Sequence, residues 1–573
     1  EPEIFSKKDT LKGLAKLSGI SNGRGIASEI NLTTTWADNW AIKTRGGYKK
    51  LGDLSAPDYG LMNTGMESNS FGFTLQNNTF WQGISLDYYL TQQKIGIFRG
   101  SDLGNLNDFY DAITSQKPIY TRDFSYDIQN PMQNIQHHIA KLSAFKRYEN
   151  WGKISLDYSF QYNKRKEYDV RRGDLYNIPA MQLELYTNQL NITDFLEREK
   201  WSLETGIQGQ YQYNYSPTST QAKRLIPNYN QYNIGAFSVY KYNLSQQWKA
   251  ELGIRYDYQK YLVKAWFDTK EWEEKYQQDF SQFYILTEGN RVFTKPELDY
   301  NLLGYNFGIN YNLDNKQIIR LNFSNTNRTP NIAELFAGGL HHSAAMIEQG
   351  DMRLTTENTS QIQLDWESNF MILKGLKINI NPYYYNIKGY ISQIPTGIQN
   401  TIRGVFPVWS YQQVDAKIYG LDLDSNWKIN NFLQYKSHFS FVHGNDITNN
   451  QPLIMMMPTQ WTNAIEINLP WKKSYFKIEN IWVAKQNRYP NYNPTIMIYE
   501  NGIEVEKTLD LSTPPPAYQL WNLQGEMEIF KQFTAGVTIT NLFDISYKNY
   551  LNRLRYFSNE MGRNIIFSLQ YKF

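Results

Sequence analysis

Apolar and polar residues alternate along most of the chain. Residues 301–312 read NLLGYNFGINYN, which puts Leu303, Tyr305, Phe307, Ile309 and Tyr311 on one face and Gly304, Asn306, Gly308, Asn310 and Asn312 on the other. Residues 154–162 repeat the pattern, with Ile154, Leu156, Tyr158, Phe160 and Tyr162 set against Ser155, Asp157, Ser159 and Gln161. Residues 361–367 set Ile362, Leu364 and Trp366 against Gln361, Gln363, Asp365 and Glu367, and in 207–213 Gln208, Gln210 and Gln212 fill the polar face. A period of two is the mark of a β-strand whose two faces meet different surroundings. Many of these segments reach the ~9–11 residues that a tilted strand needs to cross a bilayer, beyond the usual ~5–6. Their polar faces are rich in Gln, Asn and Asp, whereas a sandwich buries apolar side chains between its sheets. No fixed period or repeat motif supports a propeller or solenoid.

The strands pair into hairpins with two kinds of connection. Short polar turns fall near residues 37–39, 149–150, 243–246, 313–315, 430–431, 470–473 and 531–532, and long polar loops at 51–67, 94–136, 263–299, 327–358, 445–459, 486–516 and 544–561. Short turns on one rim and long loops on the other describe an all-β, transmembrane antiparallel barrel with the short turns periplasmic and the long loops extracellular. Ten hairpins and one terminal strand are visible, and the even-number rule asks for one more near the N-terminus, giving about 22. Residues 13–18 match that strand poorly, so the barrel is expected over 25–573, after an N-terminal segment of residues 1–24. In the last strand Ile565, Phe567, Leu569, Tyr571 and Phe573 alternate with Ile566, Ser568, Gln570 and Lys572. Frayed polar ends are the norm in soluble proteins; Phe567, Leu569, Tyr571 and Phe573 instead resemble an outer-membrane assembly signal.

Composition changes this picture little. Mean hydropathy is −0.59, and no run of 18 or more apolar residues exists, so a transmembrane helix is excluded. The 44 Tyr, 30 Phe and 15 Trp suit the two interfacial aromatic belts of a barrel. The 58 basic and 55 acidic residues nearly balance, which argues against a nucleic-acid partner. With no Cys, disulfides, thiolate metal sites and Cys nucleophiles are all excluded.

Several segments resemble the barrel of TonB-dependent outer-membrane receptors. Residues 325–354 (NTNRTPNIAELFAGGLHHSAAMIEQGDMRL) resemble a family loop with an Arg-x-Pro turn, a Glu-Leu pair, a Gly-Leu-His segment and a Glu-x-Gly-Asp element. Asn541-Leu542-Phe543-Asp544, with Tyr547 following, matches the motif before the last loop, and Gly562-Arg563-Asn564 opens the final strand. Residues 411–424 (YQQVDAKIYGLDLD) and the loop at 52–65 add to the match, which runs in order from about Gly47 to Phe573. The resemblance implies residence in the Gram-negative outer membrane among lipid and lipopolysaccharide, a TonB-type energy-transducing partner, and import of an extracellular small molecule or metal chelate such as a siderophore or haem, or of a metal ion. Family members carry an N-terminal plug and a TonB box. Only residues 1–24 precede the first clear strand, enough for a plug–barrel junction but not for a plug. A plugless passive channel and a surface-binding or adhesion barrel are the alternatives.

No Gly-x-Ser-x-Gly elbow, phosphate loop or His-Glu-x-x-His segment is present, so no enzyme is expected, and no cofactor. His341 and His342, in the loop that most resembles the family's, are candidate metal ligands, with Glu348 and Asp351 as oxygen donors. Arg488, Tyr489 and Tyr492, with Trp266, Trp272, Phe283 and Tyr284 in another loop, suggest an aromatic and basic cup for an anionic or planar ligand. His438, in phase with Lys436 and Ser440, should face the lumen; His137, His138 and His443 lie near the rim, and Met455, Met456 and Met457 in a loop. The bland alternatives are that loop histidines are solvated or hydrogen-bonded, that the Met run packs a loop base, and that most aromatics belong to the belts.

Overall fold

The computed structural model describes residues 11–573 except 116, 172, 315, 371 and 372. Residues 1–10 and Asn315 of the turn expected at 313–315 thus lie outside the described residues. Twenty-two antiparallel strands form one closed barrel. Each barrel strand pairs with the next along the chain. The first, Leu11–Ile20, closes the ring against the last, Asn564–Lys572, in register from Leu14 opposite Lys572 to Ile20 opposite Ile566. The barrel therefore includes Leu11–Ile20, which corrects the boundary expected at residue 25. In that first strand Leu11, Gly13, Ala15, Leu17 and Gly19 share one face. The small residues hide its apolar period, and the ring of Phe573 fills the space a Cβ on Gly13 would take, 2.3 Å away.

The outward face is apolar where the pattern predicts it. Leu303, Tyr305 and Phe307 are each about half exposed, whereas Gly308 is buried. The aromatics gather into two girdles. Near the short turns, Trp36 and Trp40 lie 5.6 Å apart, Trp201 and Tyr240 6.0 Å, Trp248 and Tyr311 4.3 Å, and Phe533 and Tyr571 4.5 Å. Towards the other rim, Tyr162 sits between His138 at 5.9 Å and Tyr186 at 4.8 Å, and Tyr186 meets Tyr213 at 6.2 Å. On the strand Trp201–Tyr215, Trp201 and Tyr213 mark the two girdles. Twelve residues of strand tilted at ~40° rise roughly 30 Å, the thickness of a hydrocarbon core. No helix among the described residues is long and apolar enough to cross a membrane.

The inward face is polar and laced with pairs: Lys141 with Asp157 at 2.8 Å, Arg320 with Asp365 and Glu367, and Asn306 Nδ2 donating to Glu251 Oε1 at 3.1 Å. His438 Nδ1 lies 2.7 Å from Asp424 Oδ1 within this lining, as its phase predicts.

Short turns and both barrel termini share one rim, except the turn at residues 21–24, which lies on the other. Besides the expected turns, residues 79–81 and 198–200 also turn there. The opposite rim carries every long loop expected, and also those at 169–180 and 216–227. The strands Leu376–Thr401 and Gly404–Lys428 run far past that rim as one long hairpin. The next strand, Leu433–Asp446, accompanies it only as far as Ala416.

Candidate functional site

The loop residues 329–356 are built from local rules. Arg328, at the end of its strand, pairs with Glu334 at 2.8 Å and Glu357 at 3.0 Å. Asn331 caps the short helix Ile332–Phe336: Glu334 N donates to Asn331 Oδ1, and Asn331 N donates to Glu334 Oε2, a reciprocal capping box. A small hairpin follows, Gly338–His341 against Met346–Gln349, turning through Ala345 in the left-handed region. Gly350 then brings the chain against the helix, where a Cβ would lie 2.6 Å from Phe336 N. The second hairpin strand adds in parallel to the long hairpin, Ile347 to Gln349 opposite Val408 to Ser410.

This register places His341 and Glu348 on one face, with His341 Nδ1 2.7 Å from Glu348 Oε1. Glu348 also faces Tyr411 and Arg553, and Arg553 stacks over Trp409 at 4.1 Å. Burial, with Glu348 nearby, pushes the Tyr411 phenol up; burial also lowers the Arg553 guanidinium, against the pull of Glu348. His341, a quarter exposed, is the accessible edge of this group. Trp409, Tyr411 and Arg553 were missed as site residues, since they come from other loops and no spacing along the chain links them to His341.

His342 points elsewhere. It is buried, with Nε2 3.8 Å from Asp169 Oδ2, and burial lowers its pKa to about 4 although Asp169 opposes the shift. Asp169 also takes Arg171 at 2.9 Å and Arg403 at 3.2 Å. The two histidines thus have different partners, and the expectation that both reach one metal ion does not match this geometry. Among the described residues no three His, Cys, Asp or Glu side chains are grouped to hold a metal. Asp351 is separated from both, clamped by Arg353 at 2.6 Å.

The aromatic cup is only partly formed. Trp272 is buried with Phe267 and Tyr276 of its own loop and Phe336 of the loop at 329–356, while Tyr284 is exposed. Arg488 Nη1 approaches His443 Nδ1 at 3.2 Å and its other amine donates to Asn445. Tyr492 accepts from Gln451 at 2.7 Å, and burial raises the pKa of Tyr550, with Tyr489 nearby adding to the shift. Met456 packs beside Leu453 at the loop base, the bland reading of the Met run.

The loops meet above the barrel. Ala56 and Leu61, Phe98 to Ile113, Ala345, Val405, Ile496 to Leu511, and Tyr556 and Phe557 share one buried apolar cluster. Leu103 follows the fifth strand, Gln82–Gly96, and Val405 lies at the start of the sixteenth, so their contact spans eleven of 22 strands, half the circumference. The cap is therefore held from opposite sides of the wall.

A closed 22-stranded barrel with two aromatic girdles, a polar lumen and loops folded over one mouth is a transmembrane β-barrel of receptor type. Residues 68–542 match the family described as TonB dependent receptor-like, beta-barrel, and the chain belongs to that family. Among solved structures it resembles the copper transporter OprC, at 13% identity and a TM-score of 0.73 over 100% of this chain and 81% of that one. It also resembles the FrpB iron transporter from Neisseria meningitidis (12%, 0.70, 98% and 82%) and the siderophore receptor PirA from Pseudomonas aeruginosa (10%, 0.63, 100% and 81%). At such identities the likeness is one of fold. No curated protein sequence matches the chain.

Proposed function

We propose that this barrel is the wall and mouth of a Gram-negative outer-membrane receptor that imports a scarce nutrient: a metal chelate such as a ferric siderophore or haem, or a metal ion. A TonB-type partner in the periplasm supplies the energy. The observation that carries this reading is the family match over most of the barrel. The loop cap supports it, because an ordered cover joined across the mouth suits capture and gated entry better than free diffusion. Copper, iron and siderophore transporters among the structural relatives favour this substrate class. The ligand face is His341 and Glu348, backed by Tyr411 and Arg553, with Arg488, Tyr489 and Tyr492 as a second, aromatic and basic face. Phe567, Leu569, Tyr571 and Phe573, outward on the last strand, serve as the assembly signal.

The test is growth of cells carrying or lacking the gene, with haem, zinc, copper or a ferric siderophore as the limiting source. One source should require the gene. Equal growth on every source would remove the importer reading and favour an adhesion role.

A further inference from the structure

The outward face of five adjacent strands carries a polar cavity directly above the extracellular aromatic girdle. Leu90, His138, Tyr162 and Tyr186 are cross-strand neighbours in the last apolar row. One step further out, the register aligns Gln92, Gln136, Lys164 and Glu184. A second step aligns Glu67, Lys94, Asn134, Lys166 and Gln182. The alternate residues Arg165 and Glu167 turn inward to Ser343 of the mouth hairpin, at 3.2 and 3.3 Å, which fixes the even-numbered set on the outside.

Each step is roughly 7 Å along a strand, or about 5 Å of height at the usual tilt. The two polar rows therefore stand about 5 and 10 Å above the girdle, in the headgroup layer of a bilayer. Lys164 is neutralised by Glu184 at 2.8 Å. Glu67 stands opposite Lys94 in register, yet neither Lys94 nor Lys166 has an ion-pair partner among the described residues. These two cations flank Asn134, with their Cα atoms about 10 Å apart across two strand spacings. Both lysines line the cavity together with Asn134, which stands between them in register and carries an amide able to donate. Like charges so placed repel one another, and an anion between them relieves that repulsion. The cavity measures about 430 Å³.

We propose that this outer-wall cavity binds the phosphate of a phosphorylated outer-leaflet lipid. The phosphate sits between Lys94 and Lys166 over Asn134, and the acyl chains run down across Leu90, His138, Tyr162 and Tyr186. The inference rests on the membrane-spanning reading of the barrel and is independent of which nutrient the receptor imports.

The test is native mass spectrometry of the detergent-solubilised receptor, titrated with bis-phosphorylated lipid A or with its dephosphorylated form. Wild type should retain the phosphorylated lipid roughly 30-fold better than the K94Q/K166Q variant, the product of two lysine–anion contacts. Both proteins should bind the dephosphorylated form equally weakly. Heat-modifiable mobility on gels checks that the variant barrel is folded, and the comparison of the two lipids on wild type stands without the variant. Equal retention of both lipids by wild type would overturn the proposal, as would undiminished binding by a folded variant. Complete displacement by millimolar inorganic phosphate would reassign the site to free phosphate and overturn the lipid.

Discussion

Val405 N donates to Leu103 O at 2.9 Å, and that single backbone bond ties two loops rooted on opposite sides of the barrel. Its geometry depends on Gly404, which has φ +133° and no room for a Cβ, since Leu103 O would lie 2.4 Å away. Gly404→Ala therefore strains the backbone by about 1–3 kcal/mol at a point where the cap crosses the mouth. The barrel should keep its melting temperature, while external protease cuts the 97–131 loop faster than in wild type. Unchanged loop cleavage would show that the bond does not hold the cap.

The neighbouring buried charges predict an unusual pH response. His342, lowered to about 4 by burial, gives stability that is present above its ordinary 6.5 and lost as pH falls towards 4. Asp102 is raised to about 6, first by burial and then by Asp169, with Arg99 opposing. Its contribution is present below its ordinary 3.8 and lost as pH rises through 6. Each shift corresponds to at most about 3 kcal/mol, and the slopes oppose one another between pH 4 and 6. Hydrogen exchange of cap amides should thus vary little with pH in wild type after correction for intrinsic rates. Asp102→Asn should leave a cap that loosens on acidification, and His342→Gln one that tightens. Parallel slopes in the two variants would refute this pairing.

The barrel was legible in the sequence because a wall one residue thick writes its two environments into alternate positions. Leu303, Tyr305 and Phe307 face out wherever the pattern is strong. It was unreadable in Leu11–Ile20, where Gly13, Ala15 and Gly19 stand at the outward positions and Phe573 supplies the missing bulk from the far end of the chain. The site was legible only in part. His341 and Glu348 pair within one hairpin, so their proximity follows from a local motif. Arg403 meeting Asp169, or Arg553 stacking on Trp409, depends on how loops from distant strands fold across the mouth, and no local spacing records that.

The facing of the wall can be measured directly. Phe307→Arg puts a charge on the apolar face and should cost about 2–4 kcal/mol if it lies near the midplane. Asn306→Arg, one residue earlier, places the charge in the lumen beside Glu251 and should cost under about 1 kcal/mol. Reversible folding into lipid vesicles, followed by tryptophan fluorescence, compares them. Equal losses would contradict the assigned faces.

The adjacent histidines should separate into two phenotypes. His341→Ala removes the accessible edge of the mouth hairpin and Glu348→Gln the buried carboxylate behind it, and each should weaken nutrient uptake with the cap intact. His342→Ala opens a gap beside Asp169 in a buried cluster and should loosen the cap, read as faster exchange in residues 338–349, whether or not ligand is present. If His341→Ala leaves uptake at the wild-type level, the ligand face shifts to Arg488, Tyr489 and Tyr492.

The most direct test of energised import is uptake of the growth-supporting nutrient, labelled and supplied at limiting concentration, by cells with the gene intact. Uptake should fall to the level of cells lacking the gene when a protonophore collapses the proton gradient, while surface binding of the label persists. Uptake that continues unchanged after the collapse would contradict the account and make the barrel a passive channel.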